Sequence, residues 1–255
     1  MNALLNFFRL WTVILLLNGC ENVKTNWRKK IGIIVYLILL LSIIYSVYKI
    51  VTTSSQTTSE GVHIRSDYIL MLIQCCLGTV VIGLPSVLEK RFSFELPNSM
   101  SIAYFVFLYC AIYLGEVRQF YYLIPHWDDI LHCFSGAMLG AFGFTLVAIL
   151  NDSERVRVEL NPYFICLFAF CFAMAVGAIW EIYEFMGDSL FGLNMQKFRL
   201  EDGTLLIGNN ALKDTMHDII IDAIGALSVS VLGLLNMKIK EKSKNKTACN
   251  DNITA

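Results

Sequence analysis

Apolar residues along this chain gather into long runs instead of alternating with polar ones, and six runs approach a common length: about 31–50, 68–88, 100–117, 128–150, 162–185 and 214–237. A helix rising about 1.5 Å per residue needs roughly 20 residues to cross about 30 Å of hydrocarbon. Runs of that length that are apolar on every side read as membrane-spanning helices. The pattern predicts an all-α fold, a polytopic transmembrane helical bundle of six spans. Segment 3–20 is ambiguous, because Arg9 interrupts it ahead of the apolar stretch Leu10 to Leu17. It is either a short seventh span or a helix lying in the interface. No internal repeat is visible, so 31–237 reads as one membrane domain. An apolar segment with a basic flank (1–30) precedes it and a basic tail (238–255) follows.

Composition agrees with this class. Of 255 residues, 56% are hydrophobic and 16% charged, where a soluble domain carries about 25% charged residues. A net charge of −1 argues against nucleic acid as a partner, since phosphate recognition needs a basic excess. The partner expected is the lipid bilayer. Six of the eight cysteines (Cys75, Cys76, Cys110, Cys133, Cys166 and Cys171) lie in apolar runs, which suits reduced, packed thiols better than a disulfide framework. Leu17-Asn18-Gly19-Cys20 has the outline of a lipoprotein cleavage box. Asn18 fits it poorly, and no basic region precedes the apolar stretch.

Lysine and arginine alternate from flank to flank. Lys24, Arg28, Lys29, Lys30, Lys90, Arg91, Arg155, Arg157 and five lysines from Lys238 to Lys246 fall on one side, 13 in all. Lys49, Arg65, Arg118, Lys197, Arg199 and Lys213 make 6 on the other. Short cytoplasmic loops retain basic residues, so the expected protein is a multi-pass plasma-membrane protein with its C-terminus in the cytoplasm. Of the external connections, 52–61 is rich in Ser and Thr. The longest, 186–213, offers Phe198 to Leu200 and Thr204 to Ile207 as a small hairpin across Glu201-Asp202-Gly203.

The chemistry lies in the last three spans. Span four enters as Asp128-Asp129-Ile-Leu-His132, span five leaves as Glu181-Ile-Tyr-Glu184 and then Asp188, and span six enters as Asp214-Thr-Met-His217-Asp218 and then Asp222. All three sets fall in the outer leaflet. At 100° per residue, Glu181, Glu184 and Asp188 lie within about 60° of one another, and Asp214, Asp218 and Asp222 within about 80°. Asp222 lies about 12 Å deeper than Asp214, and Glu181 about 10 Å deeper than Asp188. Small residues at four-residue spacing (Gly136 and Gly140; Ala169, Ala173 and Gly177), with Gly225, suggest that the three helices approach closely.

These stretches contain no lysine or arginine of their own. Crowded carboxylates in low dielectric must then be protonated, paired with His126, His132 or His217, or bound to a cation. The deepest groups, Glu181, Asp222 and His132, are the candidate catalytic residues. Asp128, Asp129, Glu184, Asp188 and Asp218 line the candidate polar site. Glu181, Asp214, His217 and Asp222 are the candidate ligands of a divalent metal, Asp214 and His217 having chelating spacing. Imidazole with carboxylate suits zinc, manganese or iron, and carboxylates alone suit magnesium or calcium. Simpler readings stand beside these. Asp128, Asp129, Asp188 and Asp214 also fit helix caps or solvated groups, His132 a hydrogen-bonded core histidine, and Trp127, Trp180, Tyr121 and Tyr122 interface anchors. No His-Glu-x-x-His, Gly-x-Ser-x-Gly, phosphate loop or Glu-x-x-His occurs.

Three functions fit this pattern. One is a metal-dependent membrane hydrolase or transferase acting on a lipid or lipid-linked substrate at the outer leaflet. A second is a proton- or cation-coupled transporter, although Ala141 to Leu150 and Ile224 to Leu235 hold no ionisable residue to extend a path inward. The third is a structural or regulatory membrane protein.

The runs Trp127-Asp128-Asp129-Ile-Leu-His132-x-x-Ser135-Gly136, Trp180-Glu181-Ile-Tyr-Glu184 and Asp214-Thr-x-x-Asp218-x-x-x-Asp222-x-x-Gly225-Ala226 resemble the YjdF family of predicted bacterial inner-membrane proteins. More loosely they are similar to VanZ-like proteins. The likeness covers about 68–237. It implies a bacterial plasma-membrane location and a shared polar site, and no activity, because that family is a domain of unknown function.

Overall fold

The computed structural model describes residues 25–52, 65–152, 160–200 and 204–251. The ambiguous segment 3–20, the box at Cys20, most of the Ser/Thr-rich loop and the turn at 201–203 lie outside the described residues. The helices are α1 (Thr25–Thr52), α2 (Arg65–Val81), α3 (Leu84–Phe92), α4 (Asn98–Leu108) with a π-helical continuation Tyr109–Val117, α5 (Phe120–Leu123), α6 (Trp127–Asp152), α7 (Pro162–Phe191) and α8 (Asn209–Asp251). Among the described residues six stretches are long and apolar enough to cross a membrane: Trp27–Thr52, Asp67–Phe92, Asn98–Val117, Trp127–Leu150, Pro162–Phe191 and Asn209–Ile239. The protein is an all-α, multi-pass membrane protein.

Two of the expected spans differ in detail. The run 68–88 is broken into α2 and α3. Pro85 has no amide proton, and its ring collides with the carbonyl four residues back, so the helix ends at Val81 and restarts at Leu84. Ile82 N–H still donates to Gly78 O at 3.0 Å and Val87 N–H to Gly83 O at 3.1 Å. Few backbone groups are stranded where water is scarce. The run 100–117 ends in wider turns, with Arg118 N–H donating to Tyr113 O at 2.9 Å, an i to i+5 bond that periodicity cannot distinguish from an α-turn.

The residues divide into two compact units, one of those up to Leu131 together with Tyr183–Thr215, the other of His132–Ile182 together with those from Met216 onward. The first has a core of Val35, Leu39, Tyr68, Met71, Cys75, Phe105, Leu108 and Ile112. On α1 the inward seam is Val35, Leu39, Ser42 and Ser46, the i, i+4, i+7, i+11 spacing of one helix face. The two serines donate to Ile38 O and Ser42 O, each at 2.8 Å, so neither of these hydroxyls is left bare in the seam. The other faces of α1 expose Ile33, Ile34, Leu37, Leu41 and Ile44, as expected where lipid is the solvent.

In the second unit, glycines set the distance between helices. A Cβ at Gly136 would strike the backbone of Asp222, one at Gly225 the carbonyl of Cys133, and one at Gly143 would lie 2.8 Å from Ala169 Cα. The lower part of α6 therefore packs backbone to backbone on α8 and on α7. Ala169, Ala173 and Ala226 are almost fully buried. These are small-residue contacts of the kind that hold helices together without a hydrophobic driving force.

Candidate functional site

Within the second unit, α6 contributes His132 and Ser135, α7 Glu181, and α8 Asp218 and Asp222. Relative exposures are 7% for His132, 5% for Glu181, 2% for Asp218 and 3% for Asp222. Asp218 and Asp222 are one helical turn apart and share a face of α8. His132 lies between them, its Nδ1 3.3 Å from Asp222 Oδ2 and its Nε2 3.9 Å from Asp218 Oδ2. Ser135 Oγ donates to Asp222 Oδ1 at 3.0 Å. Gly177 on α7 leaves room for this carboxylate, because a Cβ there would sit 2.6 Å from Asp222 Oδ2. His132, Glu181, Asp218 and Asp222 are thus buried in the unit, and the two aspartates lie at opposite ends of the imidazole, Asp222 within hydrogen-bond distance and Asp218 beyond it. Such an arrangement can hold or relay a proton, or offer a cation one ring nitrogen and carboxylate oxygens. His217, in the same unit, is exposed.

The remaining candidates fall in the first unit, where the 186–213 connection organises them. Asp188 is 8% exposed. Its carboxylate accepts the backbone N–H groups of Met195 at 2.7 Å and Gln196 at 3.0 Å, so it anchors the strap that follows its own helix. Gly192, with φ of +66°, donates its N–H to Asp188 O at 3.0 Å and ends α7 as a left-handed cap. Asn194 closes a ring with Arg199, donating to its carbonyl at 2.8 Å and accepting its N–H at 3.0 Å. Gln196 Nε2 donates to Thr215 Oγ1 at 2.8 Å. The strap continues into paired backbone, with Leu206 N–H to Phe198 O at 2.9 Å and Leu200 N–H to Thr204 O at 3.0 Å.

At the tip of the strap Lys197, with φ of +47°, reaches both Asp128 and Asp214, donating to Asp214 Oδ1 at 3.1 Å and forming a shorter contact with Asp128 Oδ2. Burial opposes the lysine charge, but the two carboxylates outweigh it and hold the ammonium pKa above that of an ordinary lysine. Asp129 pairs instead with His126, at 2.7 Å from Nδ1. Glu184 is half-buried in this unit and within electrostatic range of Tyr183.

His132, Asp218 and Asp222 come together, with Glu181 buried in the same unit. Asp128 and Asp214 share a lysine, and Asp188 holds backbone. Three participants were missed in the sequence. In the sequence Lys197 bears only on orientation, and the signal for it is one of three cations, with Arg199 and Lys213, in a turn-rich connection beside helices with no cation of their own. Ser135 stands in the sequence only as one position of the first motif, whereas in the fold it orients Asp222. Glu116, in the π-helical segment, lies within electrostatic range of Asp67, Asp128 and Lys197. An acid near the end of an apolar run was its only mark.

The fold and the site define a class, a multi-pass helical membrane protein with ionisable groups buried between its helices. Residues 31–238 match the family described as predicted membrane protein (DUF2238). The chain belongs to this family, in keeping with its resemblance to the YjdF proteins. It is also 30% identical over 149 residues to an uncharacterised protein of Thermotoga maritima, a match covering 57% of this chain and 67% of that relative. No solved structure matches the chain.

Proposed function

We propose that this protein is a divalent-cation-dependent membrane hydrolase or transferase acting on a lipid or lipid-linked substrate from the external leaflet. The observation that carries the reading is the pair His132 Nε2 and Asp218 Oδ2, 3.9 Å apart. That is too long for a hydrogen bond, but one ion with bonds of about 2.0–2.2 Å to nitrogen and oxygen spans it. Asp222 then takes the role of the carboxylate behind a ligating histidine, fixing the ring through Nδ1, while Ser135 fixes Asp222. Such a cation, held by His132 and Asp218, would lower the pKa of a bound water and so supply a nucleophile. Glu181, buried in the same unit, is assigned the role of general base. The external placement and the cytoplasmic C-terminus rest on the distribution of lysine and arginine.

Metal analysis of the detergent-purified full chain tests this. Wild type should carry about one equivalent of a divalent transition metal, the stoichiometry of a single donor set. His132→Ala and Asp218→Asn should lose it, and Asp222→Asn should bind it about 10- to 100-fold more weakly, all with helical content retained. Glu181→Gln should keep the metal and lose turnover of an extracted lipid substrate. Folded wild type that stays metal-free after incubation with zinc, manganese and iron salts would refute the proposal.

A further inference from the structure

The opposite end of the first unit carries a surface that the proposed activity does not use. Arg28, in the first turn of α1, forms a bidentate pair with Glu89 of α3, at 2.8 Å and 2.7 Å. Glu89 Oε1 also accepts the backbone N–H of Leu96 at 3.0 Å. This clamp joins residues 61 positions apart and sets the start of one span beside the end of the next. It consumes one positive and one negative charge. Lys29, Lys30, Lys90 and Arg91 are left exposed around it, with Glu95 as the exposed acid nearby in sequence.

α3 is built for an interface. Pro85 and Glu89, four apart, form its inward face. Leu84, Val87 and Arg91, at i, i+3 and i+7, form its outward face, with Lys90 on the flank. Leu84 and Val87 are 45% and 59% exposed, and Phe92 is 60% exposed. Apolar side chains and basic tips thus share one side of a short helix at the end of a membrane span. Trp27, at the start of the neighbouring span, is exposed with the Lys30 ammonium 5.4 Å from its ring centroid. An indole at this level is an interfacial anchor, and long basic side chains carry their charge to the headgroups while their stems cover apolar surface.

We propose that this α1–α3 corner is a binding site for anionic phospholipid, with Lys90 and Arg91 on the phosphate, the acyl chains lying on Leu84 and Val87, and Lys29 and Lys30 supplying further positive charge at the same level of the membrane. Charge complementarity selects the occupant. A zwitterionic lipid offers the same apolar chains but no net charge to a surface with a basic excess. A basic residue near an anionic membrane surface contributes about fivefold in affinity, so the four act together as a lipid selector. The Arg28–Glu89 clamp keeps them in register.

Lipid retention on the detergent-purified full chain, read by native mass spectrometry after exposure to equimolar phosphatidylglycerol and phosphatidylcholine, tests this. Wild type should retain phosphatidylglycerol preferentially. Lys90→Gln/Arg91→Gln should lower that preference roughly tenfold or more, and adding Lys29→Gln/Lys30→Gln should abolish it, while phosphatidylcholine retention stays unchanged. Lys238→Gln, at a basic position of the second unit, should leave the preference intact. Equal retention of the two lipids by wild type, or full preference in the quadruple variant, overturns the proposal.

Discussion

At the scale of single residues, the buried histidine and the strap lysine deal with negative charge in opposite ways. His132 meets Asp218 and Asp222 where almost no water reaches, so the positions of a few atoms decide what the cluster can hold. The glycines behind it leave no slack. Gly136→Val should destabilise the protein by about 1–3 kcal/mol, because its added carbons must displace the Asp222 backbone. Thermal denaturation in detergent reads this directly. Lys197 is more exposed, its side chain at 37%, and its ion pairs are correspondingly screened. Lys197→Gln should cost on the order of 1 kcal/mol or less, an effect that shrinks at high salt. The sign of its pH dependence follows from a folded pKa raised above the ordinary 10.5. The contribution is fully present below that value and is lost only as pH rises through the raised one. The melting-temperature gap between wild type and Lys197→Gln should therefore stay constant from neutral pH to pH 10.

At the scale of elements, the connection after α7 behaves as part of the fold. Asp188 satisfies two strap amides, Asn194 closes a ring with Arg199, and Leu193 is only 3% exposed. Asp188→Ala removes the acceptor and leaves two amides without it. Hydrogen exchange at Met195 and Gln196 should accelerate by at least tenfold while α1 and α2 stay protected. The pairing of Phe198 to Leu200 with Thr204 to Ile207 was legible in the sequence. Its anchoring was not, because a carboxylate near the end of a helical run looks the same whether it caps its own helix, faces water or holds a loop. The π-helical turns of Tyr109–Val117 were equally hidden, since they keep the apolar character of the run and change only its hydrogen-bond step.

At the scale of the whole molecule, the six stretches among the described residues that are long enough to span a membrane match the six apolar runs, with boundaries moved by a few residues. Orientation is the prediction that belongs here. A phosphatase reporter inserted in the connection between the first two spans should be active, and the same reporter fused to the C-terminus inactive. The reverse pattern would place Lys29, Lys90 and the Lys238 region outside and invert the proposed orientation.

What the sequence determined by itself was the class, the six spans found among the described residues and the helices that carry ionisable groups. Hydrophobic run length is a one-dimensional quantity, and the bilayer reads it directly. The tertiary structure decided which of those groups meet. Asp214 and Asp218 lie one helical turn apart in the same motif, yet one faces Lys197 and the other His132. Those partners come from residues 17 and 86 positions distant in the chain, and helical periodicity specifies a face without naming what packs against it. That choice was made by close backbone approach at Gly136 and Gly225, by the room that Gly177 leaves for the Asp222 carboxylate, and by a strap whose anchor points are visible only once it has folded.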